Sequence, residues 1–234
     1  MLRSAHALIA ADREMCGDDA APVVHLGDFC DRGPDTAGVI RFLRAGIDAA
    51  EPWRAVLGNH DRLFRNFLTD AVTSDPRLRA GLNWLSSNMG GRETLRSYKI
   101  EVENVDFADL VLKETATKVP AADLDFLRGL ESYIETEYLV FVHAGIVPGI
   151  PLDQQLEDDL VWMREPFLTD TRDHGKLIVH GHTPVDTATH YGNRVNLDTG
   201  AGYFQPLTAA VFEDRECWIL TASGRAPLHP QPKF

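Results

Sequence analysis

The sequence predicts an α/β fold. Short apolar runs typical of buried strands alternate with segments of helical periodicity through the first third of the chain, a pattern typical of a partly parallel sheet covered by helices. Four of the strand-like runs are followed directly by polar clusters. The chain has 234 residues, of which 44% are hydrophobic. A domain of this size buries a core without disulfides or a structural metal.

The predicted elements follow one another in a regular order. Leu2, Ala5, Leu8 and Ile9 fall on one helical face, which predicts an amphipathic first helix. Strands are predicted at 22–26, 53–57, 138–142, 177–179 and 194–197, helices at 36–45 and 63–68, and a hairpin joining 207–212 to 217–220. Residues from about 70 to 135 are mostly helical in pattern, and no flexible linker bounds them. We therefore expect a single domain, 1–234, with a helical insertion at about 70–135.

Composition excludes several classes of function. The net charge of −12 disfavours binding to the phosphate backbone of nucleic acids, which needs a basic surface. The chain has three scattered cysteines, Cys16, Cys30 and Cys217, whose spacing indicates neither a disulfide framework nor a zinc-binding pair. This cysteine usage is typical of a protein in a reducing compartment. No apolar run approaches the ~18 residues of a membrane span. We expect a cytoplasmic protein with no nucleic-acid or membrane partner.

The polar clusters carry candidate metal ligands. Asp28 follows the run PVVHL, Asn59 follows WRAVL, His143 follows YLVFV and His182 follows LIV. Ligands in open α/β sheets bind at the carboxyl ends of strands, so we expect these four side chains to converge. Their mixed oxygen and nitrogen donors suit Mn, Fe or Zn. The chain has no G-x-S-x-G elbow and no G-x-x-x-x-G-K-[ST] phosphate loop, which disfavours a serine hydrolase and a nucleoside triphosphatase of those types.

The order of these motifs resembles a known family. The segments GDFCDRGPDT, GNHD, FVHAG, WMREPF and HGHTP are similar to the signatures of the calcineurin-like metallophosphoesterases. More narrowly, they resemble the phosphoprotein phosphatase branch, which contains bacterial serine/threonine protein phosphatases and symmetrical diadenosine tetraphosphatases. The resemblance spans roughly residues 23–211. It implies an α/β/β/α sandwich of four layers built on two sheets.

The resemblance also implies a pair of divalent ions, Mn, Fe or Zn. Asp28 would bridge them, while Asn59, His143 and His182 would complete the ligands of the second ion. The family opens with a strand ending in Asp-x-His-Gly, whose Asp and His hold the first ion. No Asp-x-His precedes Asp28 in this sequence. We therefore expect an N-terminally truncated domain with an intact second site and an incomplete first site.

Four further residues acquire catalytic roles from the resemblance. Arg32 and Arg164 would clamp the phosphate, because planar guanidinium groups match phosphate oxygens. His60, oriented by Asp31, would donate a proton to the leaving oxygen. The implied reaction is direct in-line attack by a metal-bound hydroxide.

The expected substrate class stays open. The favoured function is hydrolysis of phosphomonoesters, with phosphoserine or phosphothreonine in proteins as substrate. One alternative is symmetrical hydrolysis of a dinucleoside polyphosphate, a small phosphoester. The other is a catalytically impaired remnant that binds metal, because the ligands of the first ion are missing.

Overall fold

A computed structural model describes residues 1–102 and 108–232 of the chain. Its N-terminal part contains α1 (Leu2–Cys16), β1 (Val23–His25), α2 (Thr36–Asp48), β2 (Trp53–Ala55) and α3 (Asn59–Asp70). The middle part contains α4 (Gly91–Ser97), α5 (Ala108–Lys118), α6 (Ala121–Arg128), β3 (Tyr133–Glu135), β4 (Leu139–Val142) and α7 (Glu157–Trp162). The C-terminal part contains β5 (Leu177–His180), β6 (Thr189–His190), β7 (Arg194–Asn196), β8 (Ala210–Glu213), β9 (Glu216–Thr221) and β10 (Gly224–Pro227).

The mixed α/β class predicted from the sequence is confirmed. The largest sheet has the order β3-β4-β5-β7-β6, in which β4, β5 and β7 are parallel and the two outer strands are antiparallel. The parallel pair β1-β2 and the antiparallel sheet β10-β9-β8 are separate. The described strands thus form three sheets, whereas the family resemblance implied two.

The first helix buries the face that its periodicity predicts. Ala5 is buried, and Leu8 and Ile9 pack with it against Leu220 of β9. The helix ends at Gly17, whose left-handed backbone (φ 68°) suits a residue without a Cβ. Helix α1 thereby covers the three-stranded sheet.

The predicted insertion at 70–135 contains three helices, α4 to α6, and an irregular stretch before them. The strand β3 begins inside its C-terminal limit, so the helical pattern ends earlier than expected. Trp84, Leu95 and Leu127 from this region are fully or almost fully buried in the same core cluster as Leu57 and Phe64. The single-domain organisation remains our expectation.

Two predicted boundaries shift in the structure. Helix α3 begins at Asn59, not near residue 63, because the Asp61 carboxylate accepts the Gly58 N–H at 3.0 Å and caps the first turn. The motif GNHD is therefore the start of a helix. Beyond the predicted C-terminal hairpin, β10 adds a third strand to β9. In the described part of the chain, no helix has the length and apolar character needed to cross a membrane.

Candidate metal and phosphate site

The four predicted metal ligands converge at the carboxyl ends of β1, β2, β4 and β5. The Asn59 amide oxygen lies 3.1 Å from Nε2 of His143 and 2.9 Å from Nδ1 of His182. Oδ1 of Asp28 lies 3.3 Å from Nε2 of His143. Ligand atoms of Asp28, His143 and His182 all lie within 4.8 Å of one another. These separations are those of groups that surround a single cation.

The loop carrying Asp28 is held by a residue that the sequence analysis left without a role. The buried Asp61 carboxylate accepts the backbone N–H groups of Asp28 and Phe29, each at 2.8 Å, and that of Cys30 at 3.2 Å. Asp28 itself has a left-handed backbone, with φ of 56°. Asp61 therefore offsets the cost of this conformation and fixes the direction of the Asp28 side chain. The sequence feature that could have indicated this role of Asp61 is its place as the last residue of the GNHD motif.

Close approach of two loops makes a glycine necessary at position 58. A Cβ added to Gly58 would lie 2.3 Å from the Asp28 backbone nitrogen and 2.3 Å from its Oδ1. A Cβ atom does not approach a non-bonded atom that closely in proteins, so any side chain at position 58 would push Asp28 away from Asn59. The glycine in this motif thus serves the spacing of the ligands.

The chemistry of these donors fits one divalent cation. Nδ1 of His143 lies 2.7 Å from the Leu26 carbonyl oxygen and therefore carries a proton, which leaves Nε2 as the nitrogen that faces Asp28 and that would ligate a cation. Nε2 of His182 is buried and has no hydrogen-bond partner among the described residues. A carboxylate, an amide oxygen and imidazole nitrogens form a ligand set for Mn, Fe or Zn.

Of the two ions that the family resemblance implies, only one has a ligand cluster in the described residues. That cluster is Asp28, His143 and His182, with the Asn59 amide oxygen beside it. The residues predicted to hold the first ion reduce to Asp28. The structure therefore supports one complete ligand set.

The side chains of this cluster shift one another's pKa values. Burial opposes protonation of His143, but the adjacent Asp28 carboxylate outweighs it and raises the pKa of His143 to about 8. Burial, reinforced by His143, lowers the pKa of His182 to about 2. Burial would raise the pKa of Asp28, but His143 and His60 hold it well below its usual range. Near neutral pH the Asp28 carboxylate is thus ionised and His143 protonated, so a cation that binds there must displace the proton on Nε2 of His143.

The predicted pair His60 and Asp31 is formed. Nδ1 of His60 lies 2.5 Å from Oδ2 of Asp31, and both side chains are buried. Burial opposes protonation of His60, but the carboxylates of Asp28 and Asp31 prevail and raise its pKa. Because Nδ1 faces Asp31, Nε2 is the nitrogen available to exchange a proton with a substrate.

Two residues of the insertion orient Asp31 in turn. Trp84 Nε1 donates to both carboxylate oxygens at 3.0 Å, and the Thr94 hydroxyl donates to Oδ1 at 2.7 Å. Neither role was predicted from the sequence. Their segment, which resembles a linker of the bacterial family members, lies more than fifty residues from Asp31 along the chain, and that resemblance did not identify Asp31 as the partner of either side chain.

Both predicted phosphate-binding arginines line the same groove as the metal ligands. This groove has a volume of about 1820 Å³, and its walls include all eight predicted site residues. Arg32 is half-buried, has φ of 57°, and its buried Nε has no hydrogen-bond partner in the described chain. Arg164 is exposed. Arg32 lies close enough to His60, and Arg164 close enough to His182, for their charges to oppose protonation of those imidazoles, and the roles of both arginines remain our prediction.

Comparison with known proteins gives the context of this site. The family model described as calcineurin-like phosphoesterase matches residues 4–209. A bis(5'-nucleosyl)-tetraphosphatase PrpE [asymmetrical] from Bacillus subtilis (strain 168) is 28% identical over 214 residues, covering 85% of this chain and 79% of the relative. The Oceanobacillus iheyensis protein of the same name is 22% identical over 223 residues, covering 88% and 79%.

Solved structures show the same fold at lower identity. A crystal structure described as that of a candidate diadenosine tetraphosphatase has a TM-score of 0.55 at 18% identity and covers 95% of this chain and 87% of that one. A cold-active protein-tyrosine phosphatase of the psychrophile Shewanella also has a TM-score of 0.55, at 14% identity, with coverage of 90% and 70%. Because the family model spans most of the sequence, this chain belongs to the calcineurin-like phosphoesterase family of hydrolases.

Proposed function

We propose that this protein is a divalent-metal-dependent hydrolase whose substrate is a dinucleoside polyphosphate. The observation that supports it best is the arrangement around one groove of a complete cation-ligand set, a carboxylate-oriented imidazole and two arginines. These are the groups that hydrolysis of a phosphate ester or anhydride requires.

Each group has a defined task in this reaction. A cation held by Asp28, Asn59, His143 and His182 would supply Lewis acidity toward a phosphate oxygen. Arg32 and Arg164 bind and orient the remaining phosphate oxygens through charge-assisted hydrogen bonds.

His60 controls the proton that the leaving group needs. A bond forms between the oxygen of water and phosphorus, and the bond from phosphorus to the leaving oxygen breaks. His60 gives its Nε2 proton to that leaving oxygen, and the proton lost by the attacking water returns the imidazole to its charged form. Asp31 keeps the imidazole oriented and favours its charged form.

The proposed substrate class is supported by the names of the relatives in the sequence comparison more than by the sequence motifs. The motifs alone favoured a serine/threonine phosphoprotein, whereas the curated relatives at 22–28% identity are named as tetraphosphatases that cleave asymmetrically. The symmetrical cleavage expected from the sequence would yield two nucleoside diphosphates. Asymmetrical cleavage yields a mononucleotide and a triphosphate, and we take this second pattern as the proposal.

Product analysis tests the proposal. The protein, dialysed and then supplied with Mn²⁺, is incubated with diadenosine tetraphosphate, with phosphoserine, phosphothreonine and phosphotyrosine peptides, and with glycerol phosphate. We expect AMP and ATP from the first substrate at a higher kcat/KM than any release of phosphate from the others. A preference for a phosphopeptide would refute the substrate class, and no turnover with Mn, Fe or Zn would favour the impaired remnant.

A matched pair of variants ties turnover to the site. Asp28→Asn removes the charged ligand, and we expect loss of both bound metal and activity. Asp186→Asn makes the same chemical change at an exposed position and should alter neither.

A further inference from the structure

An aromatic side chain stands at the rim of the catalytic groove. Tyr203 is 56% exposed and lines the groove, whereas the next residue, Phe204, is 73% exposed and does not line it. Isolated exposed aromatic residues need no explanation by themselves. The surroundings of Tyr203 separate it from that ordinary case.

The turn that carries Tyr203 is closed by its own hydrogen bonds. The Tyr203 N–H donates to the Gly200 carbonyl at 2.8 Å, and the Gly200 N–H donates to Oδ1 of Asp198 at 2.9 Å. At the base of the loop, the Thr199 hydroxyl donates to the Pro206 carbonyl at 2.7 Å. The ring is therefore presented by a hydrogen-bonded turn, which lowers the entropic cost of using it as a binding surface.

Tyr203 is also coupled to the phosphate-binding side of the groove. The Arg32 guanidinium carbon lies 5.0 Å from the centre of the Tyr203 ring, a cation–π contact. The described part of the chain provides no carboxylate paired with Arg32. A phosphate bound by Arg32 would thus carry its next substituent along the groove wall that Tyr203 lines.

We propose that Tyr203 is a specificity-determining residue that stacks against a nucleobase of a nucleotide substrate. The inference rests on the proposed function and deepens it. Aromatic–base stacking tolerates any base, because every base has a π face. It contributes roughly 5- to 150-fold in affinity per base. Tyr203 would thus raise affinity for nucleotides over phosphoesters without a ring, with little choice among bases.

Three variants test whether the Tyr203 ring is a platform on which a nucleobase stacks; this ring is called the platform below. Tyr203→Leu removes the π face and keeps comparable bulk, and Tyr203→Trp restores an aromatic face. Phe204→Leu makes the matched change on the neighbouring, more exposed ring outside the groove. Two probes are titrated calorimetrically into the unreacted protein, AMP for base plus phosphate and inorganic phosphate for phosphate alone. The KM for diadenosine tetraphosphate is measured in parallel.

We expect Tyr203→Leu to weaken AMP binding and to raise the KM for diadenosine tetraphosphate by roughly 10-fold, with a change of less than about 2-fold for inorganic phosphate. Tyr203→Trp should restore both values, and Phe204→Leu should alter neither. Equal losses for AMP and inorganic phosphate would mean that Tyr203 only supports Arg32, and would overturn the proposal. An equal effect of Phe204→Leu would overturn it as well.

The binding readout separates this inference from the proposed function. If diadenosine tetraphosphate is not hydrolysed but AMP binds and depends on Tyr203, the platform stands and the proposed substrate is wrong. If hydrolysis occurs and Tyr203→Leu changes neither KM nor AMP affinity, the proposed function stands and the platform is wrong. If AMP does not bind at all, the platform is wrong.

Discussion

The Asp61 carboxylate accepts the backbone N–H of Asp28 at 2.8 Å, so a residue at the start of one helix fixes a candidate metal ligand on another loop. The same carboxylate accepts N–H groups of Phe29 and Gly58. All of these contacts are buried or half-buried. One side chain thus satisfies backbone donors of both loops that form the candidate metal site.

We predict that Asp61→Ala destabilises the fold and weakens metal binding together. Losing the acceptor leaves several N–H groups without a partner, at about 1–3 kcal/mol for each buried one. The free energy of unfolding should fall by about 2–4 kcal/mol, and metal affinity by roughly 10- to 100-fold. Urea unfolding and metal titration measure the two effects. Asp70→Asn, an exposed acid on the same helix, should change stability by less than about 0.5 kcal/mol. Equal behaviour of the two variants would contradict the role of Asp61.

The division between His182 and His60 gives a second prediction. Nδ1 of His182 lies 2.9 Å from the Asn59 amide oxygen, within the candidate ligand cluster, whereas Nδ1 of His60 is bonded to Asp31. His182→Ala should therefore lower the metal content after extensive dialysis, and His60→Asn should retain metal while losing turnover. Metal analysis by mass spectrometry with parallel rate measurements checks this. Equal metal loss in both variants would show that the roles are not divided in this way.

The arginines give a third prediction, which concerns substrate binding alone. Arg32→Ala and Arg164→Ala should each weaken inhibition by inorganic phosphate, by roughly 10-fold for the half-buried Arg32 and less for the exposed Arg164. Metal content should stay unchanged, because neither guanidinium can ligate a cation. Inhibition constants and metal analysis of the same preparations decide the matter. Unchanged phosphate inhibition in both variants would contradict the predicted role of the two arginines in binding phosphate.

The convergence of the four candidate metal ligands could be predicted because each one follows an apolar strand, whereas the roles of the arginines and of the His60–Asp31 pair came from the family resemblance. Asp28, Asn59, His143 and His182 meet where parallel strands end, which is a local pattern with a general geometric consequence. The support behind them could not be predicted. The contacts of Trp84 and Thr94 with Asp31 depend on how the insertion packs, and no periodicity encodes that packing.

Short strands escaped prediction for a related reason. Strands β1 and β2 are as short as β3 but lie within longer apolar runs, whereas β3 (Tyr133–Glu135) ends in a charged residue and β6 (Thr189–His190) consists of two polar residues. The sequence Gly224–Pro227 of β10 contains the two residues least typical of strands. The strand forms because it pairs with β9 in the folded protein, and not because of its own residue preferences. The boundary of α3 was missed because its capping group, Asp61, lies inside the helix.

The last prediction concerns acid stability and a histidine pair outside the catalytic cluster. Nδ1 of His25 lies 3.0 Å from the Arg54 carbonyl oxygen, so this nitrogen carries the proton. Nε2 of His25 therefore accepts a hydrogen bond from Nε2 of His6, 3.0 Å away. A second proton on His25 would place two hydrogens between those nitrogens. Burial, with a further contribution from His6, lowers the pKa of His25 to about 4, against about 6.5 in the unfolded chain.

The folded state thus resists a proton that the unfolded state accepts, and stability contributed by neutral His25 is lost as pH falls from about 6.5 toward 4. Between pH 7 and pH 5, this histidine should account for about 2 kcal/mol of the loss in unfolding free energy. His25→Gln should reduce the pH dependence by that amount, measured by urea unfolding at each pH. The exposed His229→Gln serves as control and should leave the slope unchanged. A residual slope is expected, because burial also lowers the pKa of His180 to about 3. An unaltered slope in His25→Gln would show that His25 takes up its proton without disturbing His6.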